Sequence, residues 1–188
     1  MKFLTKAECG AWLHRRHIFP RPYGRPEPRG VGYLQFKLPS SLEVRRDFTY
    51  ELFSTWGCVT SGLLAITDWS YDDEYEDDPT SAMRLAQGEK RSLREVPAQV
   101  FRAEEIELAA QLAHLVLERG WTAYWYLPTQ TVALLWEGEI IDLWSPSPQL
   151  LAATQLVLID YCAPVLHRRI GQSLWPEPKE PTGDPAAD

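Results

Sequence analysis

Residues 103–144 constrain the fold of this chain more than any other part of the sequence. Between Ala103 and Arg119, polar side chains recur three and four positions apart, and apolar residues fill most of the remaining positions. That period is typical of an amphipathic helix, and Gly120 is a common type of residue immediately after a helix C-terminus. Three short runs rich in β-branched and aromatic residues then follow, at 121–127, 131–136 and 139–144. The pattern predicts a helix followed by an antiparallel meander, which favours an α+β fold.

The turn between the last two runs predicts how they pair. Glu137-Gly138 fits a two-residue turn, because glycine supplies the positive φ angle that such turns need. A two-residue turn would place Leu135 opposite Ile140. One face of the meander would then be apolar and would have to be covered by the predicted helices 103–119 and 148–162. The residues of that face are Val132, Leu134, Trp136, Ile141 and Leu143.

Shorter patterns predict the rest of the architecture. The capping-box pattern Thr5-x-x-Glu8 begins one helix, and apolar residues spaced four apart indicate another that ends at Gly57. Strands are predicted at 33–38, 58–67 and 98–101, and helices at 80–86 and 148–162. We expect one α+β domain over residues 1–170, with a mixed, mostly antiparallel sheet packed by helices and a C-terminal β-meander plus helix. Residues 20–30 are predicted to form a Pro/Arg-rich extended arm, and residues 171–188 a disordered Pro-rich tail.

The composition supports a packed core in a reducing, aqueous compartment. Hydrophobic residues make up 45% of the 188 residues and aromatic residues 12%, which is ample material for a core. No apolar run approaches the roughly 20 residues that a bilayer span needs, and the N-terminus lacks the apolar stretch of a secretory signal. Cys9, Cys58 and Cys162 are far apart in sequence, which favours buried, reduced thiols. We therefore expect a cytoplasmic protein without a membrane partner.

Charge is divided unevenly along the chain. The formal net charge is −7, yet residues 1–37 carry eight Lys or Arg side chains and two Glu, a net charge of +6. The remaining residues therefore carry −13, and seven of their carboxylates fall within Asp68–Asp78. Such a distribution creates opposed electrostatic fields on one small protein.

The acidic segment, residues 68–78, is the strongest candidate binding surface in the sequence. Its carboxylates repel one another, whereas the aromatic side chains among them can anchor a partner. The spacing does not fit an EF-hand calcium loop, which needs a glycine at position six and a closing glutamate. We expect the segment to bind a basic surface of another protein; the alternative is a solvated loop that aids solubility. The predicted contact residues are Asp68, Trp69, Tyr71, Asp72, Asp73, Glu74, Tyr75, Glu76, Asp77 and Asp78.

The arm at residues 20–30 offers a second candidate surface through Arg21, Arg25 and Arg29. Arginines of this kind bind phosphate groups, which suggests nucleic acid or another anionic partner. The chain as a whole is acidic, however, and carries no signature of a nucleic-acid-binding fold. These arginines can also pair with the acidic segment of the same protein. An anionic partner is therefore kept as an alternative, and nucleic acid is not the partner that we expect.

No sequence pattern indicates a catalytic, cofactor or metal site. Gly-x-Ser-x-Gly, a phosphate-binding glycine loop and His-Glu-x-x-His are all missing from the sequence. His14, His17 and Cys9 share one predicted helix, but a fourth ligand for zinc is not apparent. Asp142 is the one carboxylate placed within a predicted strand among apolar neighbours, so it must be hydrogen-bonded or paired. We interpret Asp142 as a structural residue, with a buried polar site around it as the alternative.

These observations favour a non-catalytic protein-binding domain over an enzyme. The leading hypothesis is an inhibitor, immunity-type or adaptor domain that uses the acidic segment and needs no cofactor or metal. The main alternative is a small enzyme of an unfamiliar family, with a site near Asp142. The predicted helix 148–162 is apolar on nearly all sides, so it is either buried or in contact with a second copy of the chain.

Overall fold

The computed structural model describes residues 1–18, 31–57, 61–69 and 79–169. In these ranges the α-helices are α1 (Lys6–Arg15), α2 (Leu42–Trp56), α3 (Pro79–Ala86), α4 (Ile106–Glu118) and α5 (Pro148–Asp160). The strands are β1 (Lys2–Leu4), β2 (Gly32–Lys37), β3 (Ser61–Asp68), β4 (Ala98–Arg102), β5 (Thr122–Tyr126), β6 (Val132–Trp136), β7 (Ile140–Ser145) and β8 (Val165–Arg169). Within the described ranges, none of the helices combines the length and the apolar character needed to cross a membrane. The predicted arm at 20–30 and tail at 171–188 lie outside these ranges.

The eight strands form one sheet in the order β1-β4-β3-β5-β6-β7-β2-β8. Every pairing between described strands is antiparallel. The predicted meander is present as β5, β6 and β7, which are neighbours at the centre of the sheet, and α5 follows it. The predicted α+β fold, with an antiparallel sheet packed by helices, is therefore confirmed.

Helices cover the two faces of the sheet unequally. On one face, here called the helix face, α2, α4 and α5 pack against alternate strand residues such as Phe36, Leu64 and Trp125. The opposite face, here called the α1 face, has a smaller apolar core to which α1 contributes Trp12 and Leu13. Because α1 is a single short helix, the described residues leave part of the α1 face open.

The β6–β7 hairpin pairs differently from the prediction. Glu137-Gly138 forms the expected tight turn, with φ angles of 50° and 69°, and the amide of Glu139 donates to the Trp136 carbonyl oxygen over 3.0 Å. Trp136 then pairs with Ile140, so Glu139 is an additional residue in the connection. A shift of one residue moves the side chains of one strand to the other face relative to its partner.

Because of this shift, the helices cover a different set of meander side chains from the predicted one. Helices α4 and α5 share the helix-face core with Ala133, Leu135, Ile141 and Leu143. The α1 face instead carries Val132, Leu134, Trp136, Asp142 and Trp144. The prediction that Leu134 and Trp136 share a face with Ile141 is therefore wrong.

The cysteines differ from the prediction in one respect. Cys9 is partly buried, but Cys162 is exposed immediately after α5. Both are free thiols, and Cys58 lies outside the described residues. The prediction of buried thiols is therefore wrong for Cys162.

Candidate functional site

Strand β3 ends beside the open part of the α1 face. Ile66 pairs with Ala123, whereas Asp68 pairs with Thr122, so Thr67 is an additional residue and the strand forms a β-bulge there. A bulge redirects the side chains next to it. Thr67 and Asp68 therefore border the same surface, although consecutive residues of a regular strand point to opposite faces.

That surface is a cleft of about 560 Å³ formed by β3, β5 and β6. It is lined by Thr67, Asp68, Thr122, Tyr124, Leu134, Trp136 and Glu137. Cross-strand pairing brings these residues together, because Thr122 lies opposite Asp68 and Tyr124 lies opposite Leu134. The cleft thus combines two aromatic rings with two carboxylates.

The charges of the cleft have no compensation from nearby described residues. The side-chain carboxylates of Asp68 and Glu137 form no hydrogen bond or ion pair with another residue in the described part of the chain, and both residues are exposed. The Trp136 ring is 41% exposed and contacts no aromatic ring or cation among the described residues. Carboxylates attract a cation, and an indole face binds one. The arrangement is therefore suited to a positively charged ligand.

The cleft adjoins the beginning of the acidic segment. Asp68 lines the cleft, and Trp69 is partly buried against the helix-face core. The remaining predicted contacts lie outside the described residues: Tyr71, Asp72, Asp73, Glu74, Tyr75, Glu76, Asp77 and Asp78. The same is true of Arg21, Arg25 and Arg29, the second candidate surface. The role of these residues stays a prediction.

Asp142 lies in the middle of β7 and is 0% exposed. Its Oδ1 atom accepts hydrogen bonds from the Tyr33 hydroxyl, over 2.5 Å, and from the Gln35 side-chain amide, over 2.9 Å. Both donors belong to β2, the neighbour of β7 in the sheet. The predicted burial and hydrogen bonding of Asp142 are confirmed. Leu134, its cross-strand partner on β6, lies between it and the centre of the cleft.

Aromatic contacts hold the Tyr33 donor beside this carboxylate. The Tyr33 ring lies 5.3 Å from the Trp144 ring and 5.6 Å from the His167 ring, measured between centroids. Offset and tilted aromatic pairs at these distances are stabilising. The surroundings of Asp142 are therefore those of a packed structural group.

The described residues offer little for metal or nucleophilic chemistry. No cluster of three or more His, Cys, Asp or Glu that could hold a metal ion occurs within the described ranges. Burial raises the pKa of the Cys9 thiol to about 11. Its thiolate fraction at neutral pH is consequently very small, so Cys9 is a poor nucleophile.

Sequence reasoning does not identify Tyr124, Trp136 and Glu137 as site residues. The available signal is that Trp136 and Glu137 adjoin a hairpin turn, where side chains are often exposed. Their position beside Asp68 depends on the additional residue Glu139 and on the bulge at Thr67, which residue types alone do not indicate.

No protein-family model, curated protein or solved structure matches the chain. Neither a substrate nor a partner can be taken from a relative. The functional interpretation therefore depends on the geometry and chemistry of the chain's own residues.

Proposed function

We propose that this protein is a non-catalytic binding domain whose acidic, aromatic-lined surface binds a basic region of another protein. The observation that carries the proposal is the position of the cleft at the end of β3. Asp68 lines the cleft, and six further carboxylates follow within the next ten residues of the sequence. Such a surface suits an inhibitor, an immunity-type protein or an adaptor.

The carboxylates and the aromatic side chains of this surface contribute to binding in different ways. Carboxylates on neighbouring residues share one field, because consecutive Cα atoms are about 3.8 Å apart, which is less than the Debye length of about 8 Å at physiological salt. A shared field of this sign accelerates encounter with a basic partner by roughly 10- to 1,000-fold. Trp136, which is 41% exposed, supplies aromatic contact area, and such contacts typically dominate the energy of the formed complex.

Affinity capture from an extract of the native host, with quantitative mass spectrometry, tests the proposal. The acidic-segment variant changes four carboxylates to Asn: Asp72, Asp73, Asp77 and Asp78. The control variant changes four exposed carboxylates of the helices to Gln: Glu43, Glu51, Glu107 and Glu118. Both variants raise the net charge by the same amount, so they differ only in where the charge is removed.

We expect the wild type and the control variant to capture the same basic protein in equal amounts. The acidic-segment variant should capture about tenfold less of it, because electrostatic steering is lost. Equal capture by the two variants would leave the acidic segment with a solubilising role only.

A second copy of the chain is another candidate partner, supported by a separate observation. Leu156 and Ile159 on α5 are 64% and 70% exposed, and Val165 and Leu166 on the edge strand β8 are also exposed. Exposed apolar side chains that form one contiguous patch are typical of an interaction surface. Sedimentation of the wild type beside a Leu156→Lys variant tests this role: we expect self-association only in the wild type, and monomers in both would contradict it.

The structure gives less support to an enzyme with a site near Asp142 and to a domain that binds an anionic partner. A catalytic role near Asp142 requires access to a carboxylate that is 0% exposed and already accepts two side-chain hydrogen bonds. Binding of an anionic partner depends on Arg21, Arg25 and Arg29, which lie outside the described residues.

A further inference from the structure

The geometry of the cleft points to a specific ligand: we propose that it binds one arginine side chain of the basic partner. The inference rests on the proposed function, because the arginine belongs to that partner. It adds the chemical group that is recognised and the residues of this chain that recognise it.

The spacing of the lining residues fits a flat cation. Asp68 lies opposite Thr122, and Thr122 is next to Trp136 in the register that pairs Ala123 with Leu135. The backbones of neighbouring strands are about 4.8 Å apart. The Cα atoms of Asp68 and Trp136 are therefore separated by roughly 10 Å, with Thr122 between them. A planar guanidinium fits between a carboxylate and an indole ring over that distance.

The donors and acceptors of the cleft favour arginine over lysine. Guanidinium stacks on an aromatic face and donates through a rigid fork of five N–H groups, whereas ammonium is a compact and strongly hydrated charge. Asp68 lies across Thr122 from Trp136, and Glu137 follows Trp136 in the chain. Neither carboxylate has a partner in the described part of the chain. A bare metal ion is a poorer fit, because no group of three or more His, Cys, Asp or Glu side chains that could hold one is formed within the described ranges.

Short peptides test this ligand directly on the full-length protein. The probe is an N-acetyl, C-amide Gly-Arg-Gly peptide, and its matched control carries citrulline, which has the same shape but no charge. Binding is followed by the indole N–H resonance of Trp136 in ¹⁵N spectra, assigned with a Trp136→Phe variant. A single exposed cation site of this kind should bind with a Kd of about 1–10 mM.

We expect the citrulline peptide to bind at least about tenfold more weakly than the arginine peptide, and a lysine peptide about threefold more weakly. Asp68→Asn and Glu137→Gln should each weaken arginine binding by about threefold, as typical exposed charge pairs do. Glu107→Gln, an exposed carboxylate outside the cleft, should leave the affinity unchanged.

The inference would be overturned if the Trp136 resonance shifted equally with the arginine and citrulline peptides, or if the lysine peptide bound more strongly than the arginine peptide. It would also be overturned if the resonance did not shift up to about 20 mM arginine peptide. Its failure can be told apart from failure of the proposed function. If partner capture still depends on the acidic segment while the arginine peptide does not bind, the inference alone is wrong. If the peptide binds as expected but capture is independent of the acidic segment, the arginine preference of the cleft stands, and its assignment to a basic partner is wrong together with the proposed function.

Discussion

Four carboxylates of this protein form two contrasting classes, defined by their burial and their partners. Asp142 and Glu89 are buried, and each accepts hydrogen bonds from side chains. Asp68 and Glu137 are exposed and have no partner within the described ranges. A buried charge must be satisfied for the fold to be stable, whereas an exposed, unpaired charge is available to a ligand. The first class therefore supports the fold, and the second supplies the candidate site.

Replacement of Asp142 tests its structural role. We expect Asp142→Ala to lower the free energy of unfolding by about 1–3 kcal/mol, because the Tyr33 hydroxyl and the Gln35 amide would lose their acceptor. Asp142→Asn keeps an acceptor of the same size and should cost less. Urea denaturation measures both. Unchanged stability of the Ala variant together with lost function would instead support a site around Asp142.

Glu89 should make stability depend on acidic pH. Arg91 donates to Glu89 through Nε, over 2.9 Å, and through a terminal nitrogen, over 2.6 Å, which lowers the Glu89 pKa from 4.5 to about 2. The folded state therefore keeps this carboxylate charged where the unfolded state binds a proton. Its stabilisation is complete above about pH 4.5 and is lost as the pH falls towards 2.

A Glu89→Gln variant isolates this contribution. At pH 7 we expect it to be less stable than the wild type by on the order of 1 kcal/mol, since the half-exposed Arg91 is partly screened by solvent. The difference between the two proteins should shrink between pH 4.5 and 2. A difference in unfolding free energy that stays constant across that range would contradict the assignment.

Among the elements, the β6–β7 hairpin decides what the cleft contains. Its additional residue, Glu139, places Trp136 opposite Ile140 and so on the α1 face. The turn is held close to the C-terminus of α4, because a Cβ atom on Gly138 would lie 2.3 Å from the Leu117 carbonyl oxygen. The position of Trp136 thus depends on a turn that packs against a helix.

Gly138→Ala should therefore destabilise the protein. The φ angle of 69° and the contact with the Leu117 carbonyl oxygen both oppose a side chain there, with an expected loss of roughly 2 kcal/mol or more. Gly10→Ala is a matched control, since Gly10 lies in α1 with nothing within 4 Å of an added Cβ atom. It should be neutral or stabilising by up to about 1 kcal/mol. Equal thermal stability of the two variants would contradict this account of the turn.

Elements with local signals could be predicted from the sequence. The capping box of Thr5 and Glu8 begins α1, and Gly57 and Gly120 follow α2 and α4 with positive φ angles, as their residue types indicate. The edge strands β1 and β8 were not predictable, because their pairing partners are distant in sequence. The bulge at Thr67 likewise depends on how β3 meets β5. The acidic part of the site could thus be recognised from composition, but its aromatic part depends on pairing between strands.

At the scale of the molecule, the important property is that the open part of the described surface lies where the acidic segment begins. Among the described residues, helices α2, α4 and α5 pack on the helix face, while α1 covers only part of the opposite face. The open part contains the cleft, and the acidic segment begins at the cleft with Asp68. Under the proposed function, charge steers a basic partner to that place, and the aromatic side chains there retain it.

The most direct test of this role is the association rate constant of the captured partner, measured with purified proteins over a series of salt concentrations. For the wild type and the helix control variant, we expect association to be fast at low salt and to slow steeply as salt is added. The acidic-segment variant should associate at least about tenfold more slowly at low salt and show little salt dependence. Identical rates and salt dependence for the wild type and the acidic-segment variant would contradict the proposal that this surface binds the partner.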